Sequence, residues 1–149
     1  MENDNPREAI FKEKPVFFSA YMTSLFSTNP RYQLGAVISK GSRIIASGAN
    51  IYKTHPIIRR YHPHILLHAE INALLRAKTQ STSGSIIYVY RETKNHVPAI
   101  AMPCKICTKF LAGAKIKRAI FTIGLPPYYQ ELSLEALLDY YWKGKAIAF

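Results

Sequence analysis

Four residues in this chain have the types and spacing to do chemistry together. His68 and Glu70 stand in LLHAEINALL (residues 66–75), and Cys104 and Cys107 stand in PCKIC (residues 103–107). Glu70 has no acidic neighbour back to Glu13 and none forward to Glu92, although the apolar pattern around it reads as buried chain. The two cysteines are the only ones in the sequence. A disulfide framework uses more cysteines at wider separations, so C-x-x-C here points to metal binding or redox chemistry, and with it to a reducing interior.

Pro103 opens a helical pattern, which places Cys104 and Cys107 in a first helical turn with both sulfurs on one face. The exposed amides and macrodipole of a helix start favour thiolate, the form a metal binds. One imidazole and two thiolates are three ligands suited to zinc, and three protein ligands leave a tetrahedral position open for water. A proton still has to be moved, and Glu70 is the group placed to move it. Residues two apart on a regular helix point to nearly opposite sides, so His68 and Glu70 can face one metal only if His68 lies at the very start of its helix. Two other readings compete. A structural zinc site would be closed by His62 or His64, but the ligand order is wrong for a finger and Glu70 is left without a task. A redox C-x-x-C explains neither His68 nor Glu70.

Several elements must position these groups. The apolar spacing in residues 15–28 predicts a helix, and LGAVIS and RIIASGA predict a hairpin turning at Lys40, Gly41 and Ser42, with the second strand ending near Asn50. Residues 51–67 have no clean period and read as a long loop. A helix follows from His68, then a strand in SIIYVYR, an irregular link in TKNHVPAIAM, a helix from Pro103 and a strand in KRAIFTI. LSLEALLDYYW predicts a last helix with Leu134, Leu137, Leu138 and Tyr141 on one face, and AIAF a short final strand. Strands alternating with helices predict an α/β domain with a partly parallel sheet between helices. The 149 residues are the size of one domain, taken here as 1–149.

The formal net charge of +11 is uneven, with acids gathered toward both ends and bases through the middle. Such a body attracts phosphate, on one nucleotide or along a strand, although a basic surface also serves solubility alone. No stretch approaches the roughly 18 to 20 apolar residues of a membrane span. The polar start MENDNPREAIFKEK is unlike a secretory signal, which predicts a cytoplasmic protein without a membrane partner.

HAE at 68–70 followed by PCKIC matches the H-x-E…P-C-x-x-C pattern of zinc nucleobase deaminases. Over roughly residues 34–123 the chain resembles the cytidine and deoxycytidylate deaminase superfamily. The resemblance implies a three-layer α-β-α cytidine deaminase-like fold around a mixed sheet of about five strands. It implies Zn2+ held by His68, Cys104 and Cys107, Glu70 as proton shuttle, Asn50 on the sugar or base, and the Ala69 N–H on a base carbonyl. Lys53, His55, Arg59 and Arg60, in the loop that leads to His68, are candidates for a substrate phosphate, and Tyr52 and Tyr61 for stacking. Met102 departs from the family, in which many members have Glu or Ser before the proline. The implied reaction is hydrolytic deamination of a cytosine-type nucleoside or nucleotide such as dCMP, by a homo-oligomer as in relatives. One alternative is a base within RNA or single-stranded DNA, which the basic middle favours. Another is a non-catalytic, zinc-containing nucleic-acid-binding module.

Overall fold

A computed structural model describes residues 5–29, 32–51, 67–78 and 80–147. Helix α1 spans Pro6–Glu13 and α2 spans Val16–Ser24. Strands β1 (Leu34–Lys40) and β2 (Arg43–Ala49) form the predicted hairpin, turning through Gly41 at φ +60°. Then come α3 (Ala69–Ala77), β3 (Ile86–Arg91), α4 (Lys105–Gly113), β4 (Arg118–Thr122), β5 (Tyr129–Ser133) and α5 (Leu134–Lys143).

The strands lie in the order β2-β1-β3-β4-β5. Only β3 and β4 are parallel; the β1/β2, β1/β3 and β4/β5 pairs are antiparallel, so the sheet is mixed. Side chains on successive strand positions point to opposite faces, and both faces are apolar. Ala36, Ile38, Ile87, Val89, Ala119 and Phe121 pack under Ala73 of α3, Leu111 of α4 and Leu137 of α5. Val37, Tyr88, Tyr90 and Ile120 pack under Ile10 of α1 and Phe17 and Ala20 of α2. Among the described residues, two helices therefore cover one face and three the other, which is the three-layer arrangement.

Three features differ from the sequence reading. Helix α1 was not foreseen in the polar start, yet Asn5 accepts the Arg7 N–H at 3.0 Å as N-cap and Pro6 follows it at the first helical turn. Arg7 also reaches Glu92 at 3.0 Å, tying α1 to the end of β3. The helix predicted over 15–28 is shorter, ending at Ser24. The fifth strand of the sheet is Tyr129–Ser133, and the last two residues of the predicted strand AIAF lie outside the described residues. Strand β5 is a half-exposed edge whose polar composition hides it, and it is held by register against β4 and by the 3.1 Å Arg118–Glu131 ion pair. Leu132 belongs to that strand, and α5 begins only after Ser133, whose hydroxyl caps the Ala136 N–H at 3.0 Å. Ala146 and Ile147 are not in a strand, and Ile147 packs on the larger core cluster. Among the described residues no helix is long and apolar enough to cross a membrane.

Candidate active site

The sheet brings two helix starts together at one of its ends. His68 is the N-cap of α3 with extended backbone (φ −66°, ψ 151°), and Cys104 is the N-cap of α4 (φ −72°, ψ 173°). His68 is thus off the helix spiral, the condition under which it and Glu70 can face one point. Leu67, just before it, exchanges backbone hydrogen bonds with Ile51 at 3.0 and 3.1 Å, fixing the approach to α3. In the first turn of α4 the Cys107 N–H donates to Cys104 Sγ at 3.4 Å, which holds that sulfur at the helix start.

His68 Nδ1 lies 3.3 Å from Cys107 Sγ and 3.7 Å from Cys104 Sγ. All three potential ligand atoms lie within 4.8 Å of one another. A tetrahedral zinc with Zn–S near 2.3 Å and Zn–N near 2.1 Å sets nitrogen and sulfur about 3.6 Å apart, so the spacing fits that ion. Ionisation carries the same message. A hydrogen bond from Cys107 holds the Cys104 thiol down to about 4 against the opposing effect of burial, with His68 adding to the shift. Cys107 is pushed up, first by that same bond and then by burial. His68 is raised, chiefly by its hydrogen bond to Cys104. Burial raises the Glu70 carboxyl, partly offset by His68. Several groups that would be anionic crowd one buried point, and a bound dication reverses the penalty.

Glu70 is 4% exposed and lines a cavity of about 260 Å³ with Asn50, His68, Ala69, Met102 and Cys104. Ala69 is the first residue of α3, a position whose N–H has no acceptor within the helix. Asn50 is buried and spends half of its amide on the rim, accepting the Leu34 N–H at 2.9 Å and donating to the Tyr32 carbonyl at 2.5 Å. One amide N–H and one lone pair remain by inventory. A larger cavity of about 550 Å³ lies between α2, β2 and α3, lined by residues such as Phe26, Gly48 and Leu75, with no potential metal ligand among the described residues that line it. Lys53, His55, Arg59, Arg60, Tyr52, Tyr61, His62 and His64 lie outside the described residues.

The family profile described as the cytidine and deoxycytidylate deaminase zinc-binding region matches residues 17–123. The chain belongs to the cytidine and deoxycytidylate deaminase family. The match takes in α2, which the sequence reading had left outside the resemblance. Among solved structures, this deaminase is similar to the dCMP deaminase of the cyanophage S-TIM5, with 25% identity, TM-score 0.55, and 85% of this chain and 89% of that one covered. It shares its fold with the cytidine deaminase of Burkholderia pseudomallei (18% identity, TM-score 0.57, 92% and 96% covered). The same holds for that of Mycobacterium leprae (17% identity, TM-score 0.53, 81% and 92% covered). No curated protein matches the deaminase in sequence. It carries the family's zinc-binding region on a mixed five-stranded α/β fold.

Beside Leu34, the structure adds two polar side chains to the deaminase cavity that sequence reasoning missed. Buried Asn29 and half-exposed Tyr32 line it, with the Arg91 guanidinium 4.7 Å from the Tyr32 ring centre. Nothing in the local pattern of either residue points to a site 36 or more positions downstream.

Proposed function

We propose that the protein is a zinc-dependent hydrolytic deaminase of a cytosine-type nucleoside or nucleotide such as dCMP, releasing ammonia. The observation that carries the reading is a buried carboxylate, Glu70, lining the same small cavity as His68 and Cys104. The similarity to a phage dCMP deaminase supports the nucleotide form of the substrate.

His68, Cys104 and Cys107 would hold zinc. When bound, zinc supplies the Lewis acidity that makes water nucleophilic at neutral pH. Glu70 takes a proton from that water as its oxygen adds to the amino-bearing ring carbon, and delivers it to the neighbouring ring nitrogen. It then takes the second proton and delivers it to the departing amine, so that ammonia leaves and a carbonyl remains. One carboxylate serves both steps because each delivery restores its base form. The Ala69 N–H donates to the base carbonyl, and the remaining N–H of Asn50 orients the sugar or base. Lys53, His55, Arg59 and Arg60 are assigned to a substrate phosphate by their charge and by their place between β2 and α3.

The test is ammonia release from cytidine, dCMP, guanine, adenosine and short oligonucleotides. The reading requires turnover of a cytosine nucleoside or nucleotide, and release only from a purine or an oligonucleotide would overturn it. The second reading, a base within RNA or single-stranded DNA, draws on the net charge of +11.

A further inference from the structure

We propose that Tyr141, on α5 and beyond the stretch matched by the family profile, is a positioning residue for Cys104. The inference rests on the reading that His68, Cys104 and Cys107 hold zinc. The Tyr141 hydroxyl donates a 2.6 Å hydrogen bond to the Pro103 carbonyl, across 38 positions of chain. Pro103 has no N–H, so its carbonyl is the one backbone group by which that residue can be tied. The same peptide unit carries the Cys104 nitrogen. Tilting it changes φ of Cys104 and swings Sγ, the atom that must meet the metal.

This link needs an anchor at that point. Upstream, the Ala101 N–H is bonded to the Thr122 carbonyl at 3.0 Å; downstream, the helix ladder starts with the Thr108 N–H on the Cys104 carbonyl at 2.8 Å. Met102 and Pro103 lie between, and the Tyr141 hydroxyl grips the middle. The phenol is itself held. Its ring packs on the larger core cluster and meets the rings of Tyr140 at 4.9 Å and Trp142 at 6.1 Å. Lys105, the residue after Cys104, sits over the Trp142 ring at 5.1 Å. Helix α5 therefore grips the metal loop on both sides of Cys104. Burial pushes the phenol up to about 12, so at neutral pH it remains a donor. Packing alone would be met by phenylalanine; the hydroxyl is what reaches the carbonyl.

Partners that orient a metal ligand typically govern about 10- to 100-fold in affinity or activity. The test is Y141F, loaded with zinc, with zinc release into a chromogenic chelator followed beside the melting temperature. Release should be about tenfold faster or more than in the wild type, and the thiolate-to-metal absorption of the cobalt-substituted variant should shift. L137V is the comparison: it trims the buried face of α5 and leaves the bond to Pro103 in place. Wild-type release from Y141F overturns the proposal, as does equally fast release from L137V at the same loss of melting temperature. C104A separates this from the reading beneath it. Stoichiometric zinc in C104A removes the ligand assignment itself, whereas zinc loss in C104A with wild-type release from Y141F removes only the role of Tyr141.

Discussion

At the scale of single residues, Glu70 is the outlier: a carboxylate 4% exposed in a strongly basic chain, with its proton affinity raised by burial. Such a group is costly unless something opposite in charge meets it. On the proposed mechanism, replacing it with alanine removes the shuttle and none of the proposed zinc ligands. Glu70→Ala should therefore keep stoichiometric zinc by metal analysis while ammonia release falls about 10²- to 10⁴-fold or more; normal turnover by the variant would contradict the role. The thiols make a second prediction, this one for the metal-stripped protein. Cys104, held down to about 4, is already thiolate throughout the neutral range, whereas an ordinary thiol near 8.5 gains about tenfold in thiolate per pH unit below that value. Alkylation of Cys104 by iodoacetamide should be nearly flat between about pH 6 and 8. A steep rise with pH would show that Cys107 does not hold it down, and zinc should protect it. The residue pattern made these four groups legible because metal ligation demands particular side chains at particular short spacings. Asn29, Tyr32 and Tyr141 were not legible, because any of them would serve equally well as a turn or packing residue.

Among the elements, α3 matters most, since it carries both Glu70 and, at its cap, His68. Its seat against β2 depends on Gly48. A Cβ there would lie 2.5 Å from the Ala73 nitrogen and 2.8 Å from the Asn72 carbonyl carbon, both backbone atoms. Asn72 completes the join by donating to the Ala49 carbonyl at 2.8 Å. Gly48→Ala should cost about 1 to 3 kcal/mol in thermal or denaturant unfolding, because the whole helix must shift. Gly113→Ala, at the end of α4 where a Cβ meets nothing within 4 Å, should be neutral or stabilising by up to about 1 kcal/mol. Equal effects of the two would mean that α3 is not seated on that glycine. The sequence showed α3 and α4 by helical spacing and a helix-opening proline, and β3 and β4 as short, continuous apolar runs that are buried on both faces. It missed β5, which is short, polar and half-exposed and whose pairing is supplied by β4, and α1, whose signal is a cap rather than a stripe.

Over the whole molecule, the net charge of +11 bears on which form of substrate is used. A mononucleotide offers one phosphate, so the logarithm of kcat/KM should fall with the logarithm of salt concentration by a slope of about one or less. A strand bound along several bases would give a slope of several units. A steep slope with turnover of oligonucleotides would favour the polymer substrate over the free nucleotide. The mixed sheet itself determines where the chemistry lies. Parallel β3 and β4 send the chain back through helices on one face, and their order beside the β1/β2 hairpin sets the starts of α3 and α4 against each other.

By itself, the sequence determined the candidate donor set, the need for two helix starts and the family, because ligand chemistry and capping are local properties written into a few adjacent residues. Only the tertiary structure decided that His68 Nδ1 stands 3.3 and 3.7 Å from the two sulfurs, that Asn29 and Tyr32 complete the cavity, and that Tyr141 reaches Pro103. Those contacts join positions from 36 to 39 or more residues apart, and such distances follow from strand register and helix packing.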